Sequence, residues 1–353
     1  MEKVLMKGNE AIAEAAIMSG CRHFFGYPIT PQTEIAAYMS KRLPKIDGVY
    51  LQAESEIAAI NMILGASSAG VRVMTSSSSP GVSLMGEGLS YLAGCDLPAV
   101  IVNIQRGGPG LGSIQPSQAD YYQATRSSGH GDFHIICLAP NNLQEIVDLT
   151  QKAFDLADIY RMPVIILADG ILGQMMEPVE LRPNLSSCLP EKTWATNGTG
   201  GKRKKNIINS LYLKPAQLEQ INVERFKRYK AVEEKEPLYE SYHTSDADIV
   251  LVAYGATSRI CKIVVTTARA DGIKAGLLRP VTLWPFPSEA LRQTVEHVKA
   301  YICVEMSMGQ MIDDVKLSVE CKRPVAFCGR TGGMVHTPEE ILAKIQAVYG
   351  GET

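Results

Sequence analysis

Apolar and polar positions change their rhythm partway along this chain. From residue 21 to residue 168, short apolar runs recur at 21–27, 49–52, 71–75, 98–104, 134–138 and 163–168. Most are nearly continuous, which fits parallel strands covered on both faces, since alternation appears only where one face meets water. Between the runs lie stretches with helical signals. Residues 9–19 can form a helix capped by Asn9 and ended by Gly20 in the C′ position. A second helix is expected to open at Thr30-Pro31. A third, at 56–69, is Ala-rich and closed by Gly70; its Ile57, Ala58, Ala59, Ile60, Met62 and Leu64 put apolar groups on nearly every face, which predicts a buried helix. Strands alternating with helices in this way predict an α/β domain.

The texture changes after about residue 178. Residues 181–205 are rich in Pro, Asn, Ser, Gly and Lys, as a solvated linker would be. The basic run there is isolated and lacks interleaved aromatics, so it is not read as a nucleic-acid patch. Residues 215–236 suit a charged helix crossing the surface. A new βα pattern begins at Asp248, with a buried strand at 249–255, a helix capped by Thr257 or Ser258, and further strands at 277–278 and 301–305. The expected organisation is residues 1–180 as one domain, 181–240 as linker and crossing helix, and 241–353 as a smaller second α/β domain.

Composition narrows the function class. The chain has 353 residues, is 46% hydrophobic and carries a formal charge of −2, so it has no basic field for nucleic acid. No apolar run approaches the roughly 18–20 residues of a membrane span, and the first ten residues lack the apolar stretch of a secretory leader. A soluble, cytoplasmic protein is expected. The closest pair among the eight cysteines, Cys321 and Cys328, is seven apart, and no C-x-x-C occurs. Zinc or iron–sulfur ligation by this chain alone is therefore not expected, and buried free thiols are the better reading.

Four constellations carry candidate chemistry. Thr30 before Pro31 reads as a helix cap with Pro at N1; a helix N-terminus at the carboxyl end of a parallel strand is equally where anions bind. Glu56, two residues after Glu54, is either a first-turn acid favoured by the helix dipole or a buried carboxylate in need of a partner. Residues 107–112, Gly-Gly-Pro-Gly-Leu-Gly, follow a strand but have the wrong spacing for a dinucleotide fingerprint, and a loop beside a pocket fits better. Arg106, at that strand's end, is a surface cation or a group placed to grip a carboxylate through two hydrogen bonds. The turn at 75–81, Thr-Ser-Ser-Ser-Ser-Pro-Gly, lacks G-x-S-x-G, and none of the six histidines has a triad-like setting, so a serine nucleophile is not indicated.

Together the segments Gly26-Tyr27-Pro28-Ile29-Thr30-Pro31, Glu54-Ser55-Glu56-Ile57-Ala58-Ala59, 75–81 and Arg106-Gly107-Gly108-Pro109-Gly110 resemble the α subunit of 2-oxoacid:ferredoxin oxidoreductases. The likeness runs over essentially the whole chain. Residues 108–118 look most like the branched-chain, 2-oxoisovalerate type, with the 2-oxoglutarate type as the close competitor. The resemblance implies a thiamine-diphosphate pyrimidine-binding domain followed by a domain similar to the C-terminal domain of transketolases. It implies a heteromeric complex in which a β subunit supplies the diphosphate-binding domain, Mg²⁺ and a 4Fe–4S iron–sulfur cluster, with γ and ferredoxin-like δ subunits beside it. By motif match Glu56 and Pro28 take cofactor-contacting roles, Glu56 being the catalytic glutamate at the aminopyrimidine, while Thr30 and Arg106 take the roles of substrate-carboxylate contacts.

The implied reaction converts a 2-oxoacid and coenzyme A to acyl-CoA and CO₂ while reducing ferredoxin. Glu56, sharing a proton with a ring nitrogen, would give acid–base help worth about 10²- to 10⁴-fold. Two other readings stand beside it: a non-oxidative thiamine-dependent decarboxylase or transketolase-like subunit, and a catalytically silent structural subunit.

Overall fold

The structure, a computed structural model, describes residues 3–126, 128–182 and 189–351. Its first strands are β1 (Lys3–Lys7), β2 (His23–Gly26), β3 (Val49–Gln52), β4 (Val73–Ser77), β5 (Ala99–Gln105), β6 (Ile136–Leu138), β7 (Pro163–Asp169) and β8 (Met176–Glu180). Between them run helices α1 (Gly8–Met18), α2 (Thr33–Arg42), α3 (Glu56–Ser68), α4 (Pro80–Leu84), α5 (Gly86–Gly94), α6 (Tyr121–Thr125), α7 (Leu143–Tyr160) and α8 (Gly170–Gln174). After residue 189 the chain has no helix or strand until α9 (Pro215–Lys235). Then follow β9 (Tyr239–Tyr242), β10 (Ile249–Val252), α10 (Gly255–Ala270), β11 (Ala275–Pro280), β12 (Thr282–Trp284) and α11 (Ser288–Arg292). The chain closes with β13 (Ala300–Glu305), α12 (Met311–Ser318), β14 (Val325–Gly329) and α13 (Pro338–Tyr349).

The first sheet has seven strands in the order β12-β6-β7-β5-β4-β2-β3, parallel except for β12. Every residue of β4, β5, β6 and β7 is buried, the physical counterpart of their unbroken apolar texture. The second sheet has the order β14-β13-β10-β11-β9, with only β9 antiparallel. Along β10, Val250 and Val252 join the core of the first sheet, while Ile249 and Leu251 face α10 and α13 on the other side. One continuous apolar core thus runs beneath both sheets. β12 strengthens that union, because a strand from the C-terminal third pairs with β6 at the edge of the first sheet.

Several local expectations are corrected. Asn9 does not cap α1: the N-cap position is Lys7, without a side-chain cap bond, and the buried Asn9 amide instead donates to Pro31 O and Glu34 Oε2, both at 2.8 Å. Neither Thr257 nor Ser258 caps α10, whose N-cap is Tyr254; Thr257 Oγ1 donates to Gln118 at 2.9 Å. Helix α3 is not buried all round, since Ile57 is 49% exposed and Asn61 and Gly65 also face outward. β1 and β8 form a small antiparallel ribbon that no apolar run announced, because three of the five β1 residues are exposed. Of the linker, residues 183–188, including Cys188, lie outside the described residues. Of the seven described cysteines all are free and four are buried; burial pushes the Cys21 thiol up to about 12.

Asp169 closes β7 and caps α8, its Oδ1 accepting from Ile171 N at 2.9 Å and Leu172 N at 3.1 Å. Burial pushes its carboxyl up to about 6. The folded chain therefore takes up this proton at a higher pH than the unfolded chain. The stability tied to it is fully present below the unfolded pKa near 4 and is lost as pH rises through 6. Two pH units correspond to about 2–3 kcal/mol. Asp169→Asn, which keeps the cap acceptor, should flatten the dependence of Tm on pH between 4 and 7; an unchanged slope would refute the assignment.

Candidate functional site

The carboxyl ends of β2, β4 and β5 converge on one edge of the seven-stranded sheet, where an α/β sheet offers its crevice. After β2 the chain turns through residues 27–32, closed by Gln32 N donating to Ile29 O at 3.2 Å. Gln32 is fully buried; its Nε2 donates to Tyr27 O at 3.2 Å and its Oε1 accepts from Ser76 Oγ at 2.6 Å. With Asn9 gripping Pro31 O, these bonds pin the turn from both sides. Thr30 is accordingly not the helix cap expected from Thr30-Pro31: α2 starts three residues later with Gln32 as N-cap. Thr30 and Pro28 are exposed on the outer side of this turn, and the Thr30 carbonyl accepts from Arg106 Nη1 at 2.9 Å.

Glu56 opens α3 behind an N-cap made by Ser55, whose Oγ accepts from Ala58 N at 3.2 Å. Although α3 has an open face, Glu56 points inward and is only 4% exposed. Ser77 Oγ donates to its Oε1 at 3.4 Å, and among the described residues no cation forms an ion pair with it. Directly opposite is Gly81. A Cβ there would lie 2.4 Å from Glu56 Oε1 and 2.1 Å from Ser77 Oγ, so only glycine leaves room for the carboxylate.

Arg106, at the end of β5, is 6% exposed rather than a surface cation. Its Nη1 and Nη2 donate to the carbonyls of Thr30 and Leu111, the latter at 3.2 Å, while its Nε is buried without a partner. The segment beyond it is a tight hairpin: Gly107 N donates to Gln115 O at 2.9 Å, Ser113 N to Gly107 O at 2.7 Å, and Arg106 bridges to Pro116. Gly112 has φ +61°, and a Cβ on it would lie 1.8 Å from Gly107 O. A cleft of about 630 Å³ opens beside this hairpin, lined by Ser79, Pro80, Asp120, Gln123, Met308 and Gln310 among others.

The serine hydroxyls of the turn, Ser76 to Ser79, are spent on hydrogen bonds, while Thr75 Oγ1 is buried without a partner among the described residues. Ser78 Oγ donates to Ile104 O at 2.7 Å and Ser79 Oγ to Asp120 Oδ2 at 2.6 Å. Sequence reasoning took in the residues up to Gln118 only through the resemblance over 108–118 and gave the segment after them no role. Gln118, fully buried, donates from Nε2 to Tyr254 O at 2.8 Å, and its Oε1 accepts from Thr257 Oγ1 at 2.9 Å and Met306 N at 3.0 Å. Tyr121 OH donates to Asp314 at 2.6 Å, and Gln310 Nε2 to Ala119 O at 2.7 Å. The second sheet's loops thus hold the return arm of the arginine hairpin. The Gln-Ala-Asp-Tyr-Tyr stretch carries no periodic signal, so nothing in the sequence marked its packing against the second sheet's loops.

Three features suit a nitrogen heterocycle with a carboxylate-bearing substrate beside it. Among the described residues a nearly buried carboxylate has no cationic partner, a glycine packs closely against it, and a buried guanidinium keeps its Nε–H without an acceptor. These are the fittings that thiamine diphosphate and a 2-oxo acid would use, and they lie on one sheet edge.

Comparison with known proteins follows the same line. A family model described as pyruvate flavodoxin/ferredoxin oxidoreductase, thiamine-diphosphate-binding, matches residues 14–241, and one for pyruvate:ferredoxin oxidoreductase core domain II matches residues 247–341. The chain is 51% identical over 350 residues to ketoisovalerate oxidoreductase subunit VorB of Methanothermobacter marburgensis, covering 99% of each chain. It is 36% identical to 2-oxoglutarate synthase subunit KorA of the same organism, covering 98% of this chain and 99% of the relative. The fold matches 2-oxoglutarate:ferredoxin oxidoreductase from Magnetococcus marinus, solved with 2-oxoglutarate, coenzyme A and succinyl-CoA, at a TM-score of 0.87 and 29% identity. That match covers 98% of this chain but 65% of the other. A split-gene transketolase matches at a TM-score of 0.64 and 14% identity over 99% of each chain, a likeness of fold alone.

Proposed function

Because the chain belongs to the pyruvate flavodoxin/ferredoxin oxidoreductase family, we propose that it is the α subunit of a multi-subunit 2-oxoacid:ferredoxin oxidoreductase. The observation that carries this reading is the pairing of Glu56, buried and facing Gly81 with no cation beside it among the described residues, with Arg106, buried on the same sheet edge with no partner at Nε among those residues. Thiamine diphosphate, when bound, supplies the carbon nucleophile and electron sink for decarboxylation. Glu56 would hold a proton at a pyrimidine nitrogen, and Pro28 would border the ring. Arg106 and Thr30 would bind and orient the substrate carboxylate.

The division of the chain at residues 180 and 240 belongs to this proposal. So do Mg²⁺ and a 4Fe–4S cluster on a β subunit, the further γ and δ subunits, and a cytoplasmic location. Among the described residues no helix is long and apolar enough to cross a membrane. The exposed apolar side chains around Glu56, including Tyr27, Leu51, Ile57 and Leu84, suit a face covered by the subunit that completes the site.

For the substrate we favour 2-oxoisovalerate, with 2-oxoglutarate next. The loops around Arg106 present Leu111, Ile114, Met308 and Met334, all more than half exposed, and residues 107–118 contain no second cation for a distal carboxylate. The test is native purification of the complex and turnover on 2-oxoisovalerate, 2-oxoglutarate and pyruvate with coenzyme A and a low-potential electron acceptor. The expected result is highest kcat/KM on 2-oxoisovalerate and no turnover by this chain alone. Preference for 2-oxoglutarate would reverse the substrate assignment; turnover by an iron-free complex would reverse the oxidative one.

A further inference from the structure

Ser79 holds a backbone conformation that residues with a Cβ rarely adopt, with φ +26° and ψ −83°. Glycine, available at no steric cost, would relieve it. The side chain shows why a serine stands there. Its Oγ accepts from Arg106 N at 3.0 Å and donates to Asp120 Oδ2 at 2.6 Å. Its own N donates to Asn103 Oδ1 at 3.0 Å, and Asn103 Nδ2 donates back to Asp120 Oδ2 at 3.0 Å. Asp120 N in turn donates to Gln105 Oε1 at 3.2 Å. The ring closes around the last residues of β5, where the main chain of Arg106 is fixed.

Burial raises the Asp120 carboxyl above its usual range, while Ser79, Asn103 and the positive charge of Arg106 oppose that rise. The Asp120 carboxyl and the Arg106 guanidinium thus attract one another at the same strand end. Strain of this kind persists only where surrounding contacts over-determine it, and it concentrates at functional sites.

We propose that Ser79, backed by Asp120, is a positioning residue for substrate recognition: it fixes the strand end that carries Arg106, so that the guanidinium meets the carboxylate of a 2-oxo acid without first reorganising. The inference rests on the reading of Arg106 as the carboxylate contact and adds the device that aims it. Misplacement by about 1 Å in such a site costs on the order of 10²-fold.

The experiment compares Ser79→Gly, Ser79→Ala and Arg106→Met in the assembled complex, measuring KM for 2-oxoisovalerate, kcat and Tm. Glycine accepts the positive φ, so a merely structural serine predicts an unchanged or higher Tm and an unchanged KM. Positioning predicts a KM raised about tenfold or more in both serine variants with Tm not lowered in Ser79→Gly. Ser79→Ala keeps the Cβ and loses only the hydroxyl, so it reports on the hydrogen bonds should the glycine variant fail to assemble. If Arg106→Met raises KM and both serine variants do not, the positioning role is overturned while the recognition role stands. If Arg106→Met leaves KM unchanged, both fall together.

Discussion

Glu56→Gln in the assembled complex should lower kcat by about 10²- to 10⁴-fold with a near-native Tm. The substitution keeps the shape of the side chain and an oxygen that can accept from Ser77 Oγ, so the pocket opposite Gly81 stays filled. What it removes is the ability to hold and release a proton, which an amide lacks at any working pH. The stability cost is confined to the favourable charge at the N-terminus of α3, about 0.3–1 kcal/mol. The same variant decides between a working and a silent subunit. A loss below tenfold, with the complex intact, would remove the proton-transfer role and leave this chain as scaffold.

Arg106→Met should lower kcat/KM for the 2-oxo acid by roughly 10²-fold, corresponding to about 3 kcal/mol from lost charge-assisted hydrogen bonds. Methionine retains an unbranched stem in the buried path between the hairpin and the turn at Thr30, which limits collapse. Two carbonyls, those of Thr30 and Leu111, lose their donor. Both lie on exposed residues, where water can replace the guanidinium. Because the carboxylate is bound before reaction and expelled during it, the loss should appear in KM with a further part in kcat. Steady-state kinetics on 2-oxoisovalerate checks this, and an unchanged KM would end the assignment of Arg106.

The legible part of the fold is the part built on two-sided burial. Strands β5 and β7 stand within a residue or so of their apolar runs, because a strand covered on both faces has no polar alternation to confuse it. Helix α9 was equally plain, opening on Pro215 and bearing charges on most of its surface. The ribbon strands β1 and β8, the edge strand β9 and the short β12 were not legible, since exposed or three-residue strands carry little pattern. Caps were the least reliable. Asn9, Thr30, Thr257 and Ser258 all have cap chemistry, yet Asn9 and Thr257 make bonds to distant segments and Ser258 Oγ donates to Gly255 O at 2.7 Å.

Among the site residues, the chain order alone singled out Glu56, Thr30, Arg106 and the serine turn, because rigid turns and strand ends bear recognisable residue types. It also carried the family membership, in four ordered motifs. Ser79, Asp120, Asn103 and Gln118 were decided only in three dimensions. Their roles come from hydrogen bonds across 15 to 188 residues of sequence, a separation at which neither periodicity nor local propensity operates. Local physics writes turns, helix starts and buried strands into the sequence. The aim of Arg106 depends instead on where the serine turn, the hairpin's return arm and the second sheet meet, and that meeting exists only once the shared core has formed.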